Sequence, residues 1–321
     1  MTHHFITGIA GFIGSQLADA LLADGHRVSG IDDLSLGKRA FLAGAEASAA
    51  FHFEVADCSN PAAAEAALAK AAAWGGTPDL VWHLAANSDI AAGVADLGID
   101  YSRTVGTTFG LLQAARACKI TRIAFASTSA IYGERDGQLT EDSGPLLPIS
   151  NYGATKLASE ALLSAAAESF LERLWIFRFP NVVGPRATHG AIYDFIARLG
   201  VDPSRLTVLG DGRQTKPYMH VSELISAMQF IVGHADARRN VLNMGPDGAG
   251  TSVAFMAEQT ALRAAPGAEI AYTGGDRGWL GDVPRFALST DRLRALGWRP
   301  QLSSDEAVAR TIAELVAARD G

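Results

Sequence analysis

The chain has 321 residues, of which 48% are apolar and 19% charged, so it can bury the core of one substantial domain and a smaller one. Its net charge of −7, without a dense run of lysine and arginine, excludes the basic face that a nucleic-acid partner requires. No stretch approaches the ~20 apolar residues that span a bilayer, and the first residues lack the pattern of a signal peptide. We therefore expect a cytoplasmic protein with neither a nucleic-acid nor a membrane partner. Cys58 and Cys118 stand in unrelated contexts, which predicts no disulfide framework and no metal site.

Short β-branched runs alternate with alanine-rich stretches of helical period in the first half of the chain, a pattern typical of a parallel sheet with crossover helices. The predicted strands are 4–7, 27–32, 51–56, 80–85, 122–127 and 174–179, and the predicted helices are 14–23, 61–74, 101–118 and 152–172. These elements predict an α/β fold: a doubly wound parallel sheet of the Rossmann type with a smaller C-terminal α/β substrate domain. Because glycine and proline punctuate shorter elements after about residue 180, we expect one domain over 1–180 and a second over 181–321. A segment near 215–245 is a candidate to return to the first domain.

A glycine-rich loop follows the first predicted strand and opens the first helix. It contains Gly8, Gly11 and Gly14, with Phe12 and Ile13 between the last two. Glycine permits the tight turn and lets backbone amides approach a pyrophosphate, which the positive end of the helix also favours. Glycines alone would fit a plain turn into a helix equally well.

Acidic residues at two strand ends strengthen the nucleotide interpretation. Asp32 and Asp33 end the second strand, where a carboxylate can hydrogen-bond the adenosine ribose hydroxyls. Since a carboxylate there repels a 2′-phosphate, the pattern favours NAD over NADP. Asp57, just after the third strand, is a candidate to face the adenine. The alternative is that these side chains only stabilise turns.

A tyrosine and a lysine four residues apart, Tyr152 and Lys156, fall on one face of a predicted helix. Free tyrosine has a pKa of about 10. A neighbouring ammonium, together with the positive nicotinamide of NAD, favours the phenolate and makes Tyr152 a usable base. Thr128, at the end of the fifth strand, is positioned to bridge the tyrosine and a substrate oxygen. The alternative for Thr128 and its neighbours is that their hydroxyls satisfy backbone groups at a strand end.

Together these residues resemble the extended short-chain dehydrogenase/reductase family, and within it the nucleotide-sugar enzymes similar to UDP-glucose 4-epimerase. The similarity runs nearly end to end. It covers the glycine loop, the turn 31–37, the segment 83–86, the catalytic set in 127–133 and 152–156, and the later segments 178–186, 210–216 and 281–284.

The resemblance implies a domain 1–180 that binds NAD and a region 181–321 that mainly binds a nucleotide-diphosphate sugar. It implies epimerisation, at C4, through a transient 4-keto intermediate with Thr128, Tyr152 and Lys156 as catalytic residues. It also implies a homodimer formed through the helices 101–118 and 152–172. The further cofactor contacts that it implies are Leu84, Ala85 and Ala86, and the further substrate contacts are Ser88, Ser129, Asn181, Arg213, Lys216 and Arg277.

Departures from the family pattern narrow this interpretation. Ser129 and Ala130 stand where dehydratases of the family carry an Asp-Glu pair, which disfavours loss of water. Lys216 replaces a usual arginine and cannot reproduce its bidentate fork. Thr104 stands where an asparagine is common, and the segment 188–190 matches no usual pattern. A nucleotide-sugar dehydrogenase or 4-keto reductase remains an alternative, and a non-enzymatic sensor of NAD or sugar nucleotide is disfavoured because it needs no tuned base.

Overall fold

The computed structural model describes residues 1–275, 283 and 285–320. Its strands are β1 (His3–Thr7), β2 (Arg27–Asp32), β3 (Phe51–Val55), β4 (Leu80–His83), β5 (Arg122–Thr128), β6 (Gln138–Leu139), β7 (Arg173–Phe179), β8 (Asn181–Val183), β9 (Arg205–Val208), β10 (Thr215–Lys216), β11 (Tyr218–His220), β12 (Arg239–Asn243), β13 (Thr251–Ser252), β14 (Glu269–Tyr272) and β15 (Ala287–Leu288). Its α-helices are α1 (Phe12–Ala23), α2 (Ala43–Glu46), α3 (Pro61–Gly75), α4 (Ile90–Ala95), α5 (Leu97–Asp100), α6 (Thr107–Ala117), α7 (Asn151–Ser169), α8 (Ala191–Val201), α9 (Val221–His234), α10 (Val253–Ala264), α11 (Asp291–Leu296) and α12 (Ser304–Asp320).

The chain forms two compact units. Unit 1 contains Met1–Ile131, Leu146–Arg178 and Met228–Leu242, and unit 2 contains Tyr132–Pro145, Phe179–Ala227 and Asn243–Gly321. Each unit has a hydrophobic core of its own. The polypeptide therefore passes between the units several times.

A seven-stranded sheet forms the centre of unit 1, in the order β12-β7-β5-β4-β1-β2-β3. The pairings of β1 with β2 and β4, of β2 with β3 and of β4 with β5 are all parallel. The chain winds outward from β1 to β3, then returns to place β4 on the other side of β1. This reversal is the switch point at which open α/β sheets bind ligands, beyond the carboxyl ends of the strands. The doubly wound fold predicted from the sequence is confirmed.

The six predicted strands all occur in this sheet, with small differences at their ends. Strand β4 ends at His83 rather than at residue 85, because the next backbone turns away to contact the glycine loop. The predicted helix 101–118 begins with a wider π-helical turn, Tyr101–Gly106, before α6. The predicted helix 152–172 ends at Ser169. Strand β12 was not predicted, because its sequence, RNVLN, has only two apolar residues among polar ones.

Unit 2 is built from short elements. Three parallel two-stranded pairs join β6 to β15, β8 to β11 and β9 to β14, and β10 pairs with β13 in antiparallel fashion. Apolar faces of α8, α10 and α12 pack with β9 around buried residues such as Phe195, Leu206 and Met256. Because these strands are only two to four residues long, helix packing supplies most of this core.

Two classes of feature are absent from the part of the chain that the structure describes. Within residues 1–275, 283 and 285–320, no helix is both long enough and apolar enough to cross a membrane. In the same residues, no group of three or more His, Cys, Asp or Glu side chains is placed to hold a metal ion.

Candidate active site

The glycine loop between β1 and α1 has space for backbone only. Gly8 has a φ of +72°, and a Cβ there would lie 2.9 Å from the backbone nitrogen of Ala85. A Cβ on Gly14 would lie 2.2 Å from the carbonyl oxygen of Gly8. The backbone N–H of Gly11 donates to that same carbonyl, at 3.1 Å. Gly11 also precedes α1 without a side-chain cap, so the first-turn amides of the helix are left for an incoming anion.

Asp32 supports this loop from the end of β2. Its carboxylate accepts the backbone N–H of Ala10 at 2.9 Å and that of Leu34 at 2.8 Å. Burial raises the pKa of the Asp32 carboxyl, and these two hydrogen bonds oppose the increase. Asp33 and Asp57 are exposed, and each accepts the backbone N–H two residues further on. The ribose and adenine contacts of these side chains stay predictions.

The ends of β1 and β4 are joined by a buried histidine. The ring of His83 is within hydrogen-bond distance of the hydroxyls of Thr7, at 2.8 Å, and Thr108, at 3.0 Å. Burial lowers the pKa of His83 to about 3, so the ring is neutral at physiological pH. The Thr7 hydroxyl also accepts the backbone N–H of Ala85, at 3.2 Å. The predicted cofactor contacts Leu84, Ala85 and Ala86 are half-buried, and the predicted substrate contact Ser88 is exposed.

The predicted catalytic residues meet where β5 ends against α7. Burial raises the pKa of Tyr152 above its usual value, and the nearby hydroxyl of Thr128 opposes this increase. Lys156 is buried one turn along α7, and its Nζ donates to the carbonyl of Ala126 at 2.7 Å. Burial lowers the pKa of Lys156 to about 7. Ser129 is half-buried and opens a short 3₁₀ turn directly after β5.

A buried carboxylate that the sequence pattern did not identify also acts on the tyrosine. Asp100, the last residue of α5, is fully buried, and its negative charge raises the pKa of Tyr152. Its Oδ1 accepts the side-chain N–H of Asn87 at 2.9 Å. Its Oδ2 has no hydrogen-bond partner among the described residues. The sequence carries no local signal for this role, because the polar residues Ser102, Arg103 and Thr104 follow Asp100 closely.

Unit 2 contains the predicted diphosphate contacts. Asn181 is the first residue of β8, and its buried Nδ2 has no hydrogen-bond partner within the residues that the structure describes. Lys216 ends β10 and is half-buried. Arg213 is exposed, and its backbone N–H donates to Asp211 Oδ1 at 2.9 Å. Arg277 lies outside the described residues, as do 281, 282 and 284 of the predicted segment 281–284.

The loop of unit 1 fits a dinucleotide. A Cβ at Gly8 or Gly14 would meet backbone atoms, so the loop packs closely against the start of α1 and leaves the uncapped first-turn amides of that helix to face a pyrophosphate. The acidic end of β2 lies beside it through the Ala10–Asp32 hydrogen bond. The residues present are therefore those that NAD requires.

Comparison with known proteins is consistent with this site. The family described as the NAD dependent epimerase/dehydratase family matches residues 4–245. The chain is 33% identical over 315 residues to a UDP-glucose 4-epimerase of Mycolicibacterium smegmatis, covering 96% of each chain. It is 29% identical over 320 residues to a dTDP-glucose 4,6-dehydratase of Streptomyces griseus, covering 97% of this chain and 93% of the relative.

Solved structures extend the comparison to three dimensions. A UDP-galactose 4-epimerase crystal structure is 32% identical, with a TM-score of 0.86 over 99% of both chains. The UDP-glucose 4-epimerase of Thermus thermophilus, solved in complex with NAD, is 28% identical with the same TM-score, covering 99% of this chain and all of the other. Since the family match covers most of the sequence and these similarities run end to end, the chain belongs to the NAD dependent epimerase/dehydratase family.

Proposed function

We propose that this NAD-dependent nucleotide-sugar epimerase inverts C4 of a UDP-activated sugar through a transient 4-keto intermediate, with Tyr152 as the base. The observation that carries the proposal is the arrangement of three residues: Thr128 ends β5 beside Tyr152, and buried Lys156 lies one helical turn along α7. These groups can take up and return one proton at a sugar hydroxyl. Three of the four proteins named above are UDP-glucose or UDP-galactose 4-epimerases, which supports uracil as the base of the nucleotide.

The chain's own residues have separate tasks in this reaction. Tyr152 removes the proton of the C4 hydroxyl and later returns it, while the Thr128 hydroxyl donates to the same sugar oxygen. Lys156 stabilises the phenolate as a neighbouring cation. NAD held by the glycine loop would accept the C4 hydride and return it to the opposite face of the ketone, so no external oxidant would be consumed. Asp32 and Asp57 would hold the adenosine part of NAD, and Lys156 would hold the nicotinamide ribose.

The substrate's diphosphate is assigned to residues of unit 2. The buried Nδ2 of Asn181 is a donor without a protein partner among the described residues, and a phosphate oxygen would satisfy it. Arg213 and Lys216 add positive charge from the same unit. Lys216 provides a point charge rather than a bidentate fork, so we expect it to fix the orientation of the diphosphate less tightly than an arginine would.

Epimerisation is favoured over dehydration because of the residues that follow Thr128. Expelling water from the sugar needs an acid and a base beyond the tyrosine. Ser129 and Ala130, which follow Thr128, supply neither. The similarity to a dehydratase from Streptomyces griseus therefore reflects the shared first step, oxidation at C4.

We further propose a homodimer in the cytoplasm. Large apolar side chains stand exposed on the helices of the predicted interface: Tyr101 is 64% exposed and Phe109 is 50% exposed. Large apolar side chains exposed on a helix of the predicted interface support a protein–protein contact there. Neither Cys58 nor Cys118 is in a disulfide, which supports a reducing compartment.

The test is to incubate the purified protein with UDP-glucose, UDP-galactose or dTDP-glucose and to separate the products by chromatography. An isomeric sugar nucleotide without net NADH supports the proposal and names the substrate. Conversion that needs added NAD and accumulates stoichiometric NADH would show a dehydrogenase instead. Tyr152→Phe is the control, because it keeps the ring packing and removes only the hydroxyl that carries the proton.

A further inference from the structure

Three successive residues at the end of β5 are bonded to a single face of α7. The carbonyl of residue 126 accepts from Lys156, the hydroxyl of residue 127 donates to Glu160, and the hydroxyl of residue 128 contacts Tyr152. On α7 the three partners are four residues apart, so they lie above one another on the helix. Glu160 is thus the third member of a row whose other two members are the proposed base and its cation.

The carboxylate of Glu160 is fixed from two strands. It is only 6% exposed. Besides Ser127 on β5, it binds Arg178 on β7 through two hydrogen bonds: Nε donates to Oε1 at 3.1 Å, and Nη2 donates to Oε2 at 2.8 Å. A buried ion pair is costly to desolvate and is weak evidence of a contribution to stability. Because Glu160 lies on the same face of α7 as Tyr152 and Lys156, its charge is expected to act on them.

Glu160 is the carboxylate that acts on Lys156. The Lys156 Nζ lies over the ring of Phe125, 4.9 Å from its centre, a cation–π contact that favours the protonated amine. Burial lowers the pKa of Lys156 to about 7, and the negative charge of Glu160 raises it. Of the other groups around this point, His83 on β4 is neutral and Asp100 acts on Tyr152. Arg178 on β7 carries the opposing positive charge.

We propose that Glu160 is a positioning residue for the proposed reaction: it fixes α7 against β5 and keeps Lys156 protonated, while Arg178 holds its carboxylate in place. The proposal rests on the function assigned to Tyr152, which needs a cation beside its phenolate. Glu160 touches neither substrate nor cofactor and acts only through the lysine.

The decisive comparison is between Glu160→Gln and Glu160→Asp. Glutamine keeps the size and removes the charge, whereas aspartate keeps the charge and loses a methylene. In Glu160→Gln we expect the Lys156 pKa, followed by lysine-selective NMR and assigned with Lys156→Met, to fall by about one unit or more. The alkaline limb of kcat should move to lower pH by the same amount, with KM little changed. Glu160→Asp should restore both towards the wild type.

Ser159→Ala is the matched control, because Ser159 is the buried neighbour on α7 and loses an uncharged hydrogen bond to Thr108. It should lower thermal stability and leave the Lys156 pKa unchanged. If Glu160→Gln does not fold, the double variant Glu160→Gln/Arg178→Met removes both buried charges and is expected to fold. We expect the Lys156 pKa to fall there as well, because the charge of Glu160 is the one that raises it.

A Lys156 pKa that is the same in the wild type and in the charge-removing variants would overturn the proposal. The same holds if Glu160→Asp and Glu160→Gln shift it equally. The NMR titration needs no substrate, so it decides the role of Glu160 even if the wild type turns over no sugar nucleotide. A wild type without turnover would refute the proposed function, but the effect of the Glu160 charge on Lys156 would remain valid.

Discussion

Replacing Gly14 with alanine should damage the cofactor loop far more than a new methyl group normally would. The added Cβ would lie 2.2 Å from the Gly8 carbonyl oxygen and 2.9 Å from the Cα of Ile9. Atoms of this kind begin to attract only at about 3.5 Å. Because both neighbours are backbone, neither can rotate away, and the loop must move off α1. Overpacking of this kind costs about 1–3 kcal/mol, which exceeds the gain of about 1 kcal/mol from replacing a helical glycine.

The matched control is Gly233→Ala in α9, where a Cβ would meet nothing within 4 Å. This variant should be unchanged or more stable by up to about 1 kcal/mol. Thermal unfolding with and without NAD, together with titration of NAD against intrinsic tryptophan fluorescence, measures both effects. Since a displaced loop also displaces the uncapped first-turn amides of α1, we expect the Kd for NAD of Gly14→Ala to rise about 10- to 100-fold. Wild-type NAD affinity in Gly14→Ala, with a melting temperature equal to that of Gly233→Ala, would refute the close-packed loop.

Three other perturbations test separate parts of the molecule. Asp100→Asn removes the charge that raises the Tyr152 pKa, so the acid limb of kcat should move to lower pH; a pH–rate profile that does not move would contradict this. Burial lowers the folded-state pKa of His4 from 6.5 to about 4. The contribution of neutral His4 to the free energy of unfolding is therefore complete above pH 6.5 and is lost as the pH drops towards 4, by about 3 kcal/mol at most. His4→Gln, which can still accept the indole N–H of Trp82, should lose less between pH 7 and 4 in urea titrations than the wild type does. Phe109→Ser removes a half-exposed ring from the proposed dimer surface. Because burying such a side chain contributes about 1.5–3 kcal/mol, this variant should weaken dimerisation about 10- to 100-fold in sedimentation experiments. An unchanged dimer would place the interface elsewhere.

The fold of unit 1 is largely readable from the sequence because its strands are apolar and regularly spaced. Runs such as HHFIT and RIAFAST lie in the middle of a sheet covered on both faces, so burial places apolar residues next to one another in the sequence, as in 5–6 and 123–126. The edge strand β12 does not need apolar residues at consecutive positions, and its sequence is typical of a loop. Unit 2 is less predictable for a related reason: its strands are two to four residues long, too short for any periodicity to show.

For the site, the sequence predicts the residues that carry the chemistry but not the buried charged groups that act on them. Tyr152, Lys156 and Thr128 stand at family spacings, and the structure brings them together at one strand end. Asp100 and Glu160 act on them from positions that local spacing does not reveal, because their effect depends on burial and on partners distant in the chain. A charged residue inside an apolar strand, such as Arg178 in RLWIFRF, was the available clue, since it requires a buried counter-charge.

Strand β12 lies about 60 residues after its neighbour β7 in the sequence, and this order has a consequence for biosynthesis. A nascent chain emerges from the ribosome N-terminus first, and β7 is complete some 60 residues before its neighbour β12 has been translated. During that interval the growing polypeptide presents β7 as an unpaired border, which is a template for pairing with another chain. Slow translation or premature termination between residues 180 and 238 would therefore favour aggregation, and fragments that stop before β12 should depend on chaperones for solubility.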